Sequence, residues 1–370
     1  MNFKNKKQLV DLFFFFLKIG TTGFGGPLSV ISLLQKELVE EKKWLSLAEF
    51  NQAFALIKAM PGPISFMMVT YLGQLRRGFV GALLAALGFV LPSFAMIIFI
   101  GHFYTYFQEM KGFNDFVLAL QVSAFALIVL AIKNLTQKEY KNPIFVGLAV
   151  VAGYLYFNKL IPEPFIILGF GGLYILYKKY RPSEKLMALV VLPSDEWSSY
   201  WLIFQKCLKA GALIFGTGFA MLPVMHADFV IDHQWLSESE FLNAVAFGQI
   251  TPGPIVITGT YVGYKILGFW GAVVATIGIF LPSFFHITTW FSWAVQRAQK
   301  QVWIADFVFA ATAAVVGTIV ITFYQLSKNV NWNFKLVALF FISLAVFHYL
   351  KKIPVILVFL LAGMTGVLVL

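Results

Sequence analysis

Two short stretches, Ala59-Met60-Pro61-Gly62-Pro63-Ile64-Ser65 and Ile250-Thr251-Pro252-Gly253-Pro254-Ile255-Val256, decide how this chain reads. Proline inside a helix removes a backbone hydrogen bond and crowds the preceding turn, whereas in the first turn its missing N–H has no helical partner to lose. Pro-Gly-Pro therefore marks a stop followed at once by a fresh helix start. The two copies lie 252 − 61 = 191 positions apart, and the displacement is general. It carries Lys18-Ile19-Gly20 onto Lys209-Ala210-Gly211, Phe24-Gly25 onto Phe215-Gly216, Trp44-Leu45-Ser46 onto Trp235-Leu236-Ser237 and Glu49-Phe50 onto Glu240-Phe241. After one deletion it becomes 281 − 91 = 190, and Leu91-Pro92-Ser93-Phe94 meets Leu281-Pro282-Ser283-Phe284. So many ordered matches define an internal repeat, with halves at 1–185 and 198–370 and a linker at 186–197.

The 370 residues are 59% hydrophobic and only 12% charged, with a mean hydropathy of +0.80. A surface facing water needs charge at about a quarter of its residues, so most of this surface faces lipid. Lipid satisfies no backbone groups, which leaves helices or a closed barrel. Unbroken apolar runs at 79–100, 116–132 and 355–370 do not alternate as barrel strands do. They approach the length a helix needs to cross about 30 Å of hydrocarbon. A net charge of +11 would point a soluble domain toward nucleic acid. Here Lys4, Lys6, Lys7, Arg76, Arg77, Lys133, Lys138, Lys141, Lys178 and Lys179 fall in short connections, as in cytoplasmic loops. The expected partners are the bilayer and a small anion, with no nucleic acid. The lone Cys207 excludes disulfides and thiolate metal clusters. Basic residues ahead of 12–17 resemble a signal peptide. Asp11 and Lys18 flank that run, however, and the segment recurs inside the chain, so it reads as mature sequence.

Each half has an irregular front and a plain back. The back reads as spans 79–104, 115–133, 142–158 and 161–179, with counterparts at 269–293, 306–326, 333–350 and 353–370. In front, a helix over 9–22 runs into Thr21-Thr22-Gly23-Phe24-Gly25-Gly26-Pro27, and an amphipathic stretch over 28–59 ends at the first Pro-Gly-Pro. Broken helices at membrane depth are tolerated only where the freed backbone lines a cavity, and matched breaks in two halves point to a transporter's substrate site. The fold class is an all-α polytopic membrane protein of about 10–12 segments, re-entrant at the Gly/Pro motifs.

Phe24-Gly25-Gly26-Pro27, Trp44-Leu45, Pro61-Gly62-Pro63, Gly78-x-x-Gly81 and Leu91-Pro92-Ser93-Phe94, with their second-half echoes, resemble the motifs of the chromate ion transporter family. The likeness is to its long-chain type, in which both halves are fused, and covers essentially the whole chain. It implies a prokaryotic plasma-membrane carrier that exports chromate, a mimic of sulfate in shape and charge, using the proton gradient. No cofactor is expected, and a second copy of the chain is a candidate partner. Gly26-Pro27 corresponds to Thr217-Gly218, so one of the two breaks should be less sharp and the halves need not be used equally.

A tetrahedral dianion needs N–H donors, hydroxyls and cations, and a helix start offers unpaired N–H groups with about half a positive charge. Pro61, Gly62, Pro63, Pro252, Gly253 and Pro254 are the candidate starts, with Gly25, Gly26 and Gly216 at the preceding breaks; the alternative is that they are packing kinks. Lys18 and Lys209 lie at matched positions before those breaks, as substrate cations or as lysines snorkelling to headgroups. Lys58 precedes the first Pro-Gly-Pro where the second half has Gln249, so a site using it would be asymmetric. The hydroxyls Ser65, Thr70 and Thr260 follow the breaks, and either contact an oxyanion or back-bond to helix carbonyls. Glu49 and Glu240 are matched carboxylates for proton coupling, with helix capping as the plainer reading; Asp115 and Asp306 read as first-turn acids. Trp44 and Trp235 read as interface anchors. His-Glu-x-x-His and the phosphate-cradling loop are absent, so neither a lipid enzyme nor ATP hydrolysis is indicated.

Orientation divides the signals. Six crossings per half would keep the basic loops on one side. An odd number, with a re-entrant hairpin, would invert the second half and leave Lys265, Lys328 and Lys335 on the far side. The re-entrant breaks favour inversion.

Overall fold

The structure, a computed structural model, describes residues 3–24, 26–137, 139–179, 199–291, 302–350 and 353–370. The expected linker at 186–197 and the candidate Gly25 lie outside them. Helices account for the described elements. The first half holds α1 (Phe3–Thr22), α2 (Pro27–Gln35), α3 (Leu47–Lys58), α4 (Ile64–Gln108), α5 (Phe113–Thr136), α6 (Pro143–Phe157) and α7 (Glu163–Lys179). The second holds α8 (Ser199–Ala212), α9 (Met221–His226), α10 (Glu238–Ile250), α11 (Thr258–His286), α12 (Val302–Ser327), α13 (Phe334–Tyr349) and α14 (Val355–Val369). The plain spans appear close to their expected bounds, because long apolar runs between polar turns leave the backbone no other way to satisfy itself in lipid. Their outward sides carry Leu87, Val150, Leu173, Phe341 and Leu361, each more than half exposed, which suits contact with acyl chains. The amphipathic stretch is split: α2 widens into a π-turn at Lys36–Glu41, and the chain then turns through Trp44 into α3.

Helices α4 and α11 are each a hairpin. Gly78 (φ 59°, ψ −149°) and Gly268 (φ 64°, ψ −152°) adopt a backbone that only glycine takes up readily. The arms then fold back on each other: a methyl group on Gly73 would lie 2.5 Å from the Gly81 carbonyl oxygen, and Thr260 and Thr276 hydroxyls meet at 2.7 Å. The short arm 64–76 is about 20 Å long at 1.5 Å per residue, too short to cross. Arg76 and Arg77 are exposed at its tip, so the Pro-Gly-Pro end sits inside the apolar slab. The re-entrant reading of the breaks is thereby realised.

The halves interleave. Helix α5 packs on α13 and α14 of the second half, and α12 packs on α6 and α7 of the first. These contacts fix the orientation. The ring pair Phe145–Phe309, the Gly153–Gly317 approach and the pair Phe157–Tyr324 make α6 and α12 parallel. Phe125 meets Phe323 at 5.2 Å while Leu135, further along α5, packs against Ala313 and Val316, earlier in α12, so α12 runs opposite to α5. Across the halves, α5 and α13 run parallel, from the Ser123–Ser343 contact (3.1 Å) to Lys133–His348 (3.3 Å). The repeat is inverted. Lys265, Lys328 and Lys335 accordingly stand on the face away from Arg76 and Arg77. Replacing Ser123 and Ser343 together by cysteine is expected to give a disulfide on mild oxidation, detected by mass spectrometry of the linked peptides; like-oriented halves would leave the two thiols apart.

Candidate functional site

The two Pro-Gly-Pro turns are held by the opposite half. Gly62 N–H donates to the Ile214 carbonyl at the end of the α8 break (2.7 Å), and Gly253 N–H donates to the Gly23 carbonyl at the end of the α1 break (3.0 Å). Each glycine also lies against the serine of the other half's Leu-Pro-Ser-Phe kink. A Cβ on Gly62 would collide with Ser283 Oγ, and one on Gly253 would lie 3.3 Å from Ser93 Oγ. So Pro61, Gly62 and Pro63 with Pro252, Gly253 and Pro254 stand at the interface of the halves, where two helix starts enter together. Ile64 and Ser65 open α4, and both are buried. In the second half a 3-10 turn at Ile255–Ile257 intervenes before α11. Two buried polar groups beside these starts have no partner among the described residues, Ser283 Oγ and Gln249 Nε2. The arrangement offers neutral donors of the kind that suit an oxyanion. As the sequence suggested, the glycine breaks differ: Gly26 (φ 83°) leads straight into α2 with Pro27 in its first turn, whereas Thr217 caps a 3-10 turn at Gly218–Ala220.

Both candidate lysines are paired. Lys18 Nζ lies 2.8 Å from Glu37 Oε1. Lys209 Nζ lies 2.6 Å, and Lys206 Nζ 3.0 Å, from Asp228 Oδ1. Glu37 and Asp228 obey the displacement, 37 + 191 = 228, and each stands second in a π-turn, Lys36–Glu41 or Ala227–Asp232. Neither acid is among the residues the sequence singled out. A self-comparison accepting acid for acid would find them; one restricted to identities does not.

The two fronts are unequally covered. Ser29, Ser32, Asn51 and Lys58 are exposed along α2 and α3, while their counterparts Ala220, Pro223, Leu242 and Gln249 are buried. Helices α5, α12 and α14 pack over α9 and α10, and α2 and α3 have no such cover. Lys58 therefore sits on an open face, over the Phe54 ring at 5.5 Å. Its matched position is the orphaned Gln249.

The remaining candidates are occupied locally. Thr70 Oγ1 donates to the Phe66 carbonyl (2.8 Å), and Thr260 meets Thr276 across the hairpin. Glu49 and Glu240 complete reciprocal capping boxes, accepting the N–H of Ser46 (2.7 Å) and Ser237 (3.0 Å). The Ser46 N–H and hydroxyl hold the Glu49 carboxyl below its usual range, which makes it a poor proton acceptor near neutrality. Glu240 also pairs with Lys265 at 3.2 Å. Asp306 pairs with Lys178 at 2.6 Å. Gly216 (φ 75°) is exposed beside Leu135. Among the described residues no cluster of His, Cys, Asp and Glu could hold a metal ion.

Two inverted halves, each donating a broken helix to a shared interface, define a multi-pass membrane transport protein of the inverted-repeat class. The chain belongs to the chromate transporter family: the profile described as Chromate transporter matches residues 10–176 and again 201–367. It is 31% identical to the probable chromate transport protein of Synechococcus elongatus, over 98% of this chain and 95% of the relative. It is 30% identical to the chromate transport protein of Cupriavidus metallidurans, over 93% and 89%. An uncharacterized transporter of Methanocaldococcus jannaschii is 28% identical over 100% and 96%. No solved structure matches the chain.

Proposed function

We propose that this protein is a secondary carrier in the plasma membrane of a prokaryote that exports a tetrahedral divalent oxyanion, chromate first and sulfate-like anions next, at the expense of the proton gradient. The observation that carries this reading is the pair of buried helix starts, each hydrogen-bonded to the other half's break. The donors Ser283 Oγ and Gln249 Nε2 stand unused beside them. A dianion at that interface would meet N–H dipoles from two inverted halves at once, so a tilt of either half changes its coordination. The exposed face of α2 and α3, with Ser29, Ser32, Asn51 and Lys58, supplies a polar approach to the first start. The second start has no such approach, as expected of a carrier open to one side. Relatives named as chromate transport proteins make chromate the first substrate to test. A homodimer is part of the reading.

Cells producing the protein are expected to accumulate several-fold less labelled chromate than control cells, and a protonophore should erase the difference. Equal accumulation in both would sink the chromate reading. A difference that persists without a gradient would sink the coupling.

A further inference from the structure

Beyond the interface of the two helix starts, a cavity of about 330 Å³ opens between α8, the π-turn after α9 and the turn joining α6 to α7. Lys206, Lys209 and Asp228 line it, with Lys159 and Glu163 from the first half. We propose that this cavity is an antechamber for the carried dianion, in which the Asp228 carboxylate holds the anion's place until a tetrahedral oxyanion displaces it from Lys206 and Lys209. The inference rests on the oxyanion-carrier reading above, and deepens it by naming a second site on the route.

Geometry is the first ground. Two ammonium groups converge on one carboxylate oxygen, at 2.6 and 3.0 Å, which is the arrangement a doubly charged oxyanion requires. Burial is the second. Asp228 is 1% exposed, whereas the Lys206 and Lys209 side chains remain 23% and 30% exposed, so the cations face the cavity and the acid backs them. Stripping a buried carboxylate from its partners with nothing in return is strongly unfavourable. A dianion that takes over both lysines leaves Asp228 buried without a cation, a cost that its second charge and its charge-assisted hydrogen bonds to two ammonium groups have to offset. Position is the third: Lys209 lies in the last turn of α8, whose following carbonyl at Ile214 holds Gly62. Lys209 therefore stands 214 − 209 = 5 positions along the chain from the carbonyl that holds the first helix start.

The other half shows what the site is not. The counterpart of Lys206 there is Phe15 (15 + 191 = 206), so the matched pair has one cation, Lys18, whose side chain is 63% exposed. Only the second half carries the two-lysine form suited to a dianion.

The test is titration calorimetry of sulfate and chromate into the detergent-purified full chain. Asp228→Asn removes the competing charge and is expected to tighten sulfate binding about tenfold, while Lys206→Met should weaken it about tenfold. Asp232→Asn removes a nearby charge that, among the described residues, pairs with neither lysine, and should change affinity much less. Unchanged or weaker binding by Asp228→Asn overturns the proposal. So does an equal gain from Asp232→Asn, which would be a plain field effect. Should Asp228→Asn fail to fold, Lys206→Met decides, because it leaves the Lys209–Asp228 pair in place; unchanged affinity then refutes the antechamber. A wild-type protein that binds neither anion overturns the carrier reading itself, and this inference with it.

Discussion

Gly62→Ala is expected to abolish chromate export and to destabilise the purified protein by several kcal/mol. Two costs add. The backbone at φ 136° is one that L-residues rarely adopt, worth about 1–3 kcal/mol. The new methyl group would also drive into Ser283 Oγ and stand 2.9 Å from Met67 Sδ, an overpacking of about 1–3 kcal/mol in a well-filled site. Moving that turn also lengthens the Gly62–Ile214 hydrogen bond, one of the two that tie each break to the other half. Gly253→Ala is the comparison. Its φ is 91° but its nearest neighbour would be Ser93 Oγ at 3.3 Å, so mostly the backbone cost remains and partial export should survive. Adding Ser283→Ala to Gly62→Ala should recover only part of the overpacking share, because Met67 Sδ at 2.9 Å and the residue 283 Cβ at 3.1 Å stay in place. Melting curves and chromate accumulation together check this order; equally mild effects at the two glycines would mean that the turns are not wedged across the interface.

The second large effect concerns the lysine pair. Lys206→Met and Lys209→Met are each expected to cost little stability alone, because the other ammonium still meets Asp228 Oδ1. The double variant leaves a carboxylate that is 1% exposed without a cation, for which about 3–5 kcal/mol is the ordinary penalty. The loss should therefore exceed the sum of the single losses by about 1–3 kcal/mol, the range of coupling seen for groups in one network. Denaturant or thermal unfolding of the four proteins measures it. Additive losses would show that the two lysines do not share the acid, and the antechamber would lose its geometric ground.

Much of this was legible in the chain. Helix breakers and apolar runs act locally, so the spans, the repeat and both Pro-Gly-Pro starts could be read from composition and displacement. The difference between the two glycine breaks followed from Thr217-Gly218 standing where Gly26-Pro27 stands. Charge misled on orientation, for a physical reason: inversion places homologous loops on opposite faces, so Lys265, Lys328 and Lys335 oppose Arg76 and Arg77 and the positive-inside signal partly cancels. Glu37 and Asp228 were hidden because each π-turn brings its acid to a lysine 19 positions earlier, a relation that no local pattern announces.

The sequence by itself determined that this is a duplicated, helical membrane protein with breaks at 61–63 and 252–254, because those properties depend on neighbours along the chain. Tertiary structure alone decided which half holds which break, that α5 and α12 trade partners between the halves, and that Lys58 faces outward while Gln249 is buried. Those outcomes depend on packing between segments more than a hundred positions apart. There the shared motifs of the two copies offer two similar partners, and shape has to choose between them.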